Sequence, residues 1–462
     1  MNTDKTKTVL RRRDFLHSAA AAGAGLMLSP VVLGQAGRKN KSEDINVALI
    51  GAGEQGKMLM MDCLKIPGVR FKAVCDIWPY NRNWVSGRLR AYRQQHNCYE
   101  DYKEMLDKEN DLDAAIIATP DCWHAEHTIA CLEAGLHVYC EAEMSNTLQG
   151  AQRMVQAARE TGRLLQIGRQ RRSACRYIYC YQKVLNQARA LGRIVTGNAY
   201  WYRRQRSPRG CPRRYEVDMQ VLKKYGYGSM EQFRNWRWYK RLGAGPMANF
   251  GSHQIDIYNW FLQASPTSVI ASGGTDYYDK KMHQWYDTIM AIYEYQSKQG
   301  TVRVFYQTIP AETFRGYYET FTGEQATLVI SQHRRHCKVY PEIRKVSANI
   351  ETWAKLVESN YLNPSDTMEE LIGKYGLKKA IFEYIVQETP PRPERPYLEL
   401  PVNVDKPYHQ PHLENFFGAV RGKAKLNCPA EVGYETAVTV LKVNEAVQQG
   451  RKVNFEPGEF NV

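Results

Sequence analysis

The chain has 462 residues, of which 43% are hydrophobic and 24% charged, a balance typical of a globular protein and not of a disordered one. At roughly 150 residues per domain, this length predicts two or three domains. The formal net charge of +15 marks a strongly basic protein. Outside the N-terminus no apolar run approaches the roughly 20 residues of a membrane span, so stable membrane insertion is not expected.

The N-terminus carries the features of an export signal. Arg12 and Arg13 precede a weakly apolar stretch over residues 18–33, and small residues at 34–36 offer a cleavage site. This combination predicts a twin-arginine signal over residues 1–36, and therefore a protein of the periplasm or another compartment outside the cytoplasm. Because that route carries folded proteins, it suits a chain that acquires a cofactor before export. The alternative is a disordered basic tail.

The eleven cysteines include no pair in C-x-x-C spacing. A zinc or redox site is therefore not expected, and no metal site is predicted. An odd count without clustering favours buried thiols, although export allows one or two disulfide bridges.

The first part of the mature chain alternates strands and helices. Four short apolar runs are predicted as buried strands, at residues 45–50, 71–76, 113–118 and 137–140. Helices are predicted between them, at residues 54–65, 84–107 and 124–134. Such alternation predicts an α/β domain with a doubly wound parallel sheet, assigned to residues 37–165.

After Gly162 the pattern changes to alternating polar and apolar residues. Strands are expected at residues 286–295, 301–307 and 326–331. This pattern predicts an α+β domain over residues 166–462, with an open, mainly antiparallel sheet that has one face covered by helices. A helical insert is expected at about 350–388, followed by a proline-rich linker at 390–393 and final helices near 411–421 and 429–449.

A glycine-rich turn, GAGEQG at residues 51–56, follows the first strand and begins a helix. Gly51 permits the tight turn, Gly53 lets the backbone approach a pyrophosphate, and Gly56 lets the helix pack closely on the strand. Asp76 ends the next predicted strand, where its carboxylate accepts hydrogen bonds from ribose hydroxyls and repels a 2′-phosphate. The motif therefore predicts NAD as cofactor and disfavours NADP. The alternative is a glycine-rich turn without a ligand.

Residues 45–450 resemble the Gfo/Idh/MocA oxidoreductases, the family of glucose–fructose oxidoreductase and inositol dehydrogenase. The resemblance rests on the glycine-rich turn and on four further stretches, at residues 118–124, 135–143, 243–256 and 414–416. It implies an N-terminal Rossmann domain and a C-terminal domain whose open sheet carries the substrate on one side. The other face of that sheet often forms the oligomer in this family, so a homo-oligomer is expected.

The resemblance also implies a set of cofactor contacts. Thr119, Pro120, His124 and Glu141 would line the nicotinamide half of the cofactor. Gln55, within the glycine-rich turn, is assigned to the same site.

The expected catalytic motifs depart from the family pattern. Where the family has Glu-Lys-Pro, this chain has Glu141-Ala142-Glu143, so the lysine that assists hydride transfer is absent. Where the family has Asp-x-Gly-x-His, this chain has Asn249 in place of the aspartate, and keeps the histidine as His253.

Of these inherited positions only His253 can exchange a proton near neutral pH, and it is predicted as the principal base. The alternative is a buried core histidine. Glu143 is the candidate substitute carboxylate if the backbone turns it inward, and is otherwise a solvated loop acid. Asn249, Asp256 and Arg171 are candidate substrate contacts.

Residues 163–241 contain twenty Lys or Arg and only three acidic residues, interleaved with aromatic residues. Nucleic acid is not expected as a partner, because an exported protein rarely meets it. Arginine forks bind carboxylate or sulfate, so an anionic saccharide is a candidate ligand beside a neutral one. The simpler alternative is a basic surface with packed aromatic residues.

Three functions remain open from the sequence. The first is an exported oxidoreductase that acts on a hydroxyl of a sugar, sugar derivative or cyclitol with tightly bound NAD. The second is an NAD-dependent glycosidase that oxidises a ring hydroxyl transiently, eliminates the leaving group, adds water and returns the hydride. The third is a cofactor-binding protein without catalysis. Paired oxidation and reduction of two sugars would also regenerate a bound cofactor.

Overall fold

The computed structural model describes residues 44–203, 208–314, 316–333, 336–342, 349–386 and 396–462. The predicted export signal at 1–36 and the predicted linker at 390–393 lie outside the described residues.

The first sheet has six parallel strands in the order β3-β2-β1-β4-β5-β6. They are β1 (Ile45–Ile50), β2 (Val69–Cys75), β3 (Asn97–Tyr99), β4 (Ala114–Ile117), β5 (His137–Cys140) and β6 (Leu165–Ile167). The intervening helices are α1 (Glu54–Cys63), α2 (Pro79–Ala91), α3 (Tyr102–Lys108), α4 (Asp121–Glu133) and α5 (Leu148–Thr161). Successive strands are added on opposite sides of β1, so a crevice opens between β1 and β4 at their carboxyl ends.

The expected doubly wound sheet is therefore confirmed. The predictions located β1, β2, β4 and β5, but missed β3 and β6. These two strands have three residues each, which is too short for a run of side chains to reveal a period.

The second sheet has ten strands in the order β14-β15-β13-β12-β11-β7-β10-β9-β8-β16. They are β7 (Ile194–Tyr202), β8 (Pro266–Gly274), β9 (Thr288–Ser297), β10 (Gly300–Ile309), β11 (Tyr317–Gly323), β12 (Ala326–Ile330), β13 (Lys338–Pro341), β14 (Asn363–Pro364), β15 (Leu398–Glu399) and β16 (Val453–Asn454). In the described part of the chain, neighbouring strands are antiparallel except for β7 and β10. The expectation of an open, mainly antiparallel sheet is confirmed.

The helices that follow the first sheet are α6 (Cys175–Tyr179), α7 (Met219–Lys224), α8 (Met230–Arg234), α9 (Ser252–Leu262), α10 (Ile350–Glu358), α11 (Asp366–Tyr375), α12 (Leu377–Ile381), α13 (Gln410–Val420) and α14 (Ala430–Gln449). Of these, α14 packs against β8 and α9 and covers one face of the second sheet. The alternation in β9 follows from this, because Tyr293 and Tyr295 are buried while Met290 and Ile292 are exposed.

All eleven cysteines lie among the described residues and are free thiols. The allowance for one or two disulfide bridges is therefore wrong. Most of the thiols are packed inside the fold, and only Cys98 and Cys175 are exposed.

Across the described ranges, no helix combines the length and the apolar character that crossing a membrane requires. The same residues contain no cluster of three or more histidine, cysteine or acidic side chains arranged to hold a metal ion.

Two helical glycines provide a matched test of packing. A Cβ at Gly433 in α14 would lie 2.4 Å from the Ile167 side chain of β6, whereas one at Gly87 in α2 would meet no atom within 4 Å. Gly433→Ala should lower the free energy of unfolding by about 1–3 kcal/mol through overpacking. Gly87→Ala should raise it by about 0.5–1 kcal/mol through higher helix propensity. Urea unfolding midpoints of the two variants check this, and equal shifts would contradict the close packing of α14 on β6.

Candidate functional site

A cleft of about 860 Å³ lies at the carboxyl ends of the first sheet, beside the glycine-rich turn. Most of the predicted site residues line it: Gly51, Gly53, Gln55, Asp76, Thr119, Pro120, His124, Glu141, Asn249 and His253. Ligands of doubly wound sheets bind at this place, where the strand order reverses.

The glycine-rich turn has the geometry that a dinucleotide needs. Gly51 has φ of +92°, and a Cβ there would lie 2.6 Å from the Ala118 carbonyl carbon. A Cβ on Gly56 would lie 1.9 Å from the Gly51 oxygen, so this glycine serves the packing of α1 and does not face the cleft. A Cβ on Gly53 would meet no atom within 4 Å, so the backbone there borders open space in the cleft. The turn therefore leaves room for a pyrophosphate at the start of α1.

Asp76 lies directly after β2 and holds the turn in place. Its Oδ2 accepts a hydrogen bond from the Ala52 N–H at 2.7 Å, and its Oδ1 accepts one from the Trp78 N–H at 2.8 Å. Burial raises the pKa of Asp76, and these hydrogen bonds act in the opposite direction. The carboxylate also lines the cleft, where the sequence predicts contact with ribose hydroxyls.

Glu141 and Gln55 form one hydrogen-bonded group on the cleft wall. The Gln55 amide donates to Glu141 Oε1 at 3.0 Å, and Gln170 donates to the same oxygen at 3.1 Å. The two predicted cofactor residues thereby fix each other, since each restricts the rotamers of the other.

His124 lies between two backbone carbonyls. Its Nδ1 lies 2.6 Å from the Glu143 oxygen and its Nε2 lies 2.7 Å from the Thr119 oxygen. Because carbonyls only accept hydrogen bonds, both ring nitrogens must donate, and this requires the imidazolium form. Burial lowers the pKa of His124, but Cys140, Asp121 and the Glu143 carbonyl raise it, with a net value of about 10.

His253 is the second residue of α9 and faces the cleft in the opposite protonation state. Its ring stacks beside Trp201 at 6.2 Å between centroids, and its Nδ1 has no hydrogen-bond partner among the described residues. Burial lowers the pKa of His253 well below its usual value, and the charges of Arg169 and Arg171 lower it further. The imidazole is therefore neutral at pH 7 and can accept a proton.

Glu143 is neither a cleft carboxylate nor a solvated loop acid, and both expectations need correction. Its side chain is 1% exposed and accepts a hydrogen bond from Arg169 Nη2 at 2.7 Å. The carboxylate turns inward, but towards this arginine, so it contributes to folding and not to the surface of the cleft.

Two predicted substrate contacts are also buried in ion pairs. Arg171 forms an ion pair with Glu319 of β11. Asp256 of α9 accepts a hydrogen bond from Arg172 at 2.9 Å. Neither lines the cleft, since each is held by its partner inside the protein. Asn249 does line it, and accepts a hydrogen bond from Arg237 Nε at 3.1 Å.

Several lining residues escaped the sequence analysis. Tyr408 and His409 precede α13, and the His409 Nε2 lies 3.2 Å from the Gln55 amide nitrogen. In the sequence, the only indication of their role is that they lie just before residues 414–416, one of the stretches that resemble the family. Trp201 and Arg237 belong to the basic aromatic segment, whose composition does not distinguish them from their neighbours.

The charged state of His124 predicts a pH dependence of folding. Its folded pKa of about 10 exceeds the value of about 6.5 expected in the unfolded chain. The stabilisation is therefore complete below about pH 6.5 and is lost as the pH rises to about 10. His124→Gln can donate to only one carbonyl and should be about 2 kcal/mol less stable at pH 6. Denaturant unfolding of both proteins from pH 6 to 10 should show this difference shrinking, whereas a constant difference would contradict the imidazolium.

Two family models match the chain and together cover more than half of it. The model described as "Oxidoreductase family, NAD-binding Rossmann fold" matches residues 45–169, and the "GFO/IDH/MocA C-terminal domain" matches residues 183–329. The expectation of an NAD-binding Rossmann domain is confirmed.

A glycosyl hydrolase family 109 protein of Shewanella baltica is 30% identical over 173 residues, which are 33% of this chain and 38% of that protein. The match thus spans less than two fifths of that relative. Among solved structures, the WlbA dehydrogenase of Bordetella pertussis, in complex with NADH and UDP-GlcNAcA, aligns with TM-score 0.60 and 16% identity over 89% of this chain and 99% of the other. The aldose-aldose oxidoreductase of Caulobacter crescentus aligns with TM-score 0.62 and 16% identity over 89% and 100%. The structural matches extend the similarity in fold along almost the whole described chain, and the two family models establish that the chain belongs to the Gfo/Idh/MocA oxidoreductase family.

Proposed function

We propose that this chain is an NAD-dependent oxidoreductase that acts on a hydroxyl group of a sugar, sugar derivative or cyclitol. The observation that carries the proposal is His253, whose neutral imidazole lines the cleft that also contains the glycine-rich turn. A proton acceptor beside a nicotinamide site is the minimum that oxidation of a carbinol requires.

The residues around His253 suit a sugar. Trp201 stacks on Phe250 at 5.6 Å between centroids, and both rings line the cleft beside the histidine. Aromatic faces pack against the apolar face of a pyranose ring, and a ring held in this way would have its hydroxyls near the His253 imidazole. When bound, NAD supplies the hydride acceptor, while His253 takes the hydroxyl proton.

The two arginines behind His253 determine what happens to that proton. The Arg171 Nη1 lies 3.4 Å from the backbone oxygen of His253, and Arg169 adds a second buried charge. Burial disfavours protonated His253 and both charges disfavour it further, so its pKa lies well below the usual value and it returns its proton readily. A base of this kind suits a reaction in which the oxidised carbon is reduced again within the same turnover.

A second candidate is the NAD-dependent glycosidase, which oxidises a ring hydroxyl only transiently. The sequence match to the glycosyl hydrolase family 109 protein supports this candidate. That match covers 33% of this chain. Tightly held NAD serves this reaction, because each turnover regenerates the cofactor. A neutral or an anionic saccharide is proposed as the ligand.

His253→Ala should lower turnover by about 100-fold or more, because general base catalysis accelerates a reaction by about that factor. NAD affinity should change little. The assay follows nicotinamide absorbance and product mass together, with a panel of neutral and acidic sugars and glycosides. Since the pKa of His253 is depressed well below 6.5, kcat/KM should not fall until the pH is also well below 6.5. His96→Ala is the matched control, because His96 bonds to Ser86 away from the cleft.

The products separate the two candidates. Oxidised sugar and reduced cofactor in equal amounts establish the dehydrogenase. Release of an aglycone without net reduction, with exchange of the neighbouring C–H in deuterated water, establishes the glycosidase. Wild-type protein that binds NAD but converts no compound would favour a protein without catalysis, and full activity of the His253 variant would remove the assigned base.

We propose further that the protein is exported with its cofactor bound and forms a homo-oligomer. Changing Arg12 and Arg13 together to lysine should leave the precursor in the cytoplasm, because the twin-arginine route depends on that pair. Fractionation of cells that express either form checks this. Normal export of the double variant would contradict the assignment.

A further inference from the structure

Residues 208–242 form a strap that packs against the cofactor-binding sheet. Trp78, which precedes α2, shares a small hydrophobic cluster with four strap residues, Val217, Leu222, Tyr227 and Leu242. The Trp78 Nε1 also donates to the Tyr215 carbonyl at 2.5 Å, and the Cys122 N–H donates to the Leu242 carbonyl at 3.1 Å. The strap is therefore anchored on the same side of the molecule as the cleft.

The strap presents arginines to the cleft and no acidic side chain. Its lining residues include Arg209, Arg234 and Arg237, whereas its acids, Glu216, Asp218 and Glu231, lie elsewhere. The resulting excess of positive charge faces the glycine-rich turn and the start of α2.

Arg209 lies at the start of the helix that follows the glycine-rich turn. Its Nη2 lies 2.8 Å from Oε2 of Glu54, the first residue of α1. A bare carboxylate at that position would repel a pyrophosphate, and this pairing removes the repulsion. Helix α1 therefore keeps its attraction for an anion.

Arg234 lies further along the cleft and is incompletely paired. Its guanidinium stacks over the Trp78 ring at 4.8 Å, and its buried Nε has no hydrogen-bond partner among the described residues. Burial lowers the pKa of Arg234, and the charge of Arg209 lowers it further. An anion bound between these two guanidiniums would relieve both effects.

We propose that the strap is a clamp that binds the pyrophosphate of NAD through Arg209 and Arg234, together with the glycine-rich turn. The inference rests on the proposed function, because it takes NAD as the cofactor. Arg209 contacts Glu54 at the start of α1, and Arg234 contacts Trp78 just before α2. A sugar in contact with His253 would instead lie beside Trp201 and Phe250, so the two arginines are assigned to the nucleotide and not to an anionic substrate.

The clamp gives a physical basis for retention of the cofactor. Release of NAD would require the arginines to give up charge-assisted hydrogen bonds, or the strap to leave its hydrophobic contacts with Trp78. An enzyme that works where free nicotinamide nucleotide is scarce gains from such slow release.

The test compares Arg234→Ala with Arg214→Ala in the full chain. Arg214 is an exposed strap residue that stacks on Tyr215 at 4.7 Å and does not line the cleft. Dissociation constants and release rates are measured for NAD, ADP-ribose and adenosine by calorimetry and stopped-flow fluorescence. Arg234→Ala should raise the dissociation constants of NAD and ADP-ribose by about tenfold or more and speed the release of both. The loss of charge-assisted hydrogen bonds has an effect of that size. Adenosine binding should stay unchanged, as should all binding to Arg214→Ala.

A substitution that preserves the charge provides a second check, which does not depend on whether the alanine variant folds well. Arg234→Lys keeps the charge without the fork, and should recover part of the lost affinity with an unchanged melting temperature. Unchanged binding of ADP-ribose to Arg234→Ala, or an equal loss for adenosine, would overturn the clamp while leaving NAD binding intact. Wild-type protein that binds neither NAD nor ADP-ribose would overturn the proposed function itself, and the clamp with it.

Discussion

Three buried arginine–carboxylate pairs hold the region beneath the cleft, and the position of the site depends on them. The pairs are Arg169 with Glu143, Arg171 with Glu319, and Arg172 with Asp256. A buried charge is tolerated only where a partner compensates it, so these contacts fix the segment after β6 against the turn after β5, β11 and α9. Since α9 carries His253, the same pairs position the candidate base, which burial keeps neutral with a further contribution from the charges of Arg169 and Arg171.

The sequence could predict the parallel sheet and the glycine-rich turn, because both depend on neighbours in the chain. Gly51, Gly53 and Asp76 lie within a single strand–helix–strand unit, where spacing alone carries the geometry. The buried pairs could not be predicted in the same way. Arg171 and Glu319 are 148 positions apart, and nothing local distinguishes an arginine bound to an interior carboxylate from one that awaits a substrate.

The basic aromatic segment at residues 163–241 shows that amino-acid composition is limited in the same way as a predictor of function. Its excess of basic and aromatic residues is evident in the sequence, and made an anionic saccharide a candidate ligand. In the structure its apolar residues join Trp78 in a separate cluster, while Arg209 and Arg234 face the cleft near the glycine-rich turn. Composition thus showed an excess of positive charge, and only the packing around Trp78 shows which part of the cleft these two arginines face.

Two of the histidines that line the cleft differ in protonation state, one a cation and the other neutral, and their surroundings explain why. His124 donates to two carbonyls and is held as a cation, whereas His253 faces two arginines and keeps a free nitrogen. Since His124 is already protonated, it cannot take up a further proton. Under the proposed function, proton transfer would therefore fall to His253, whose lowered pKa favours return of the proton after the hydride has left.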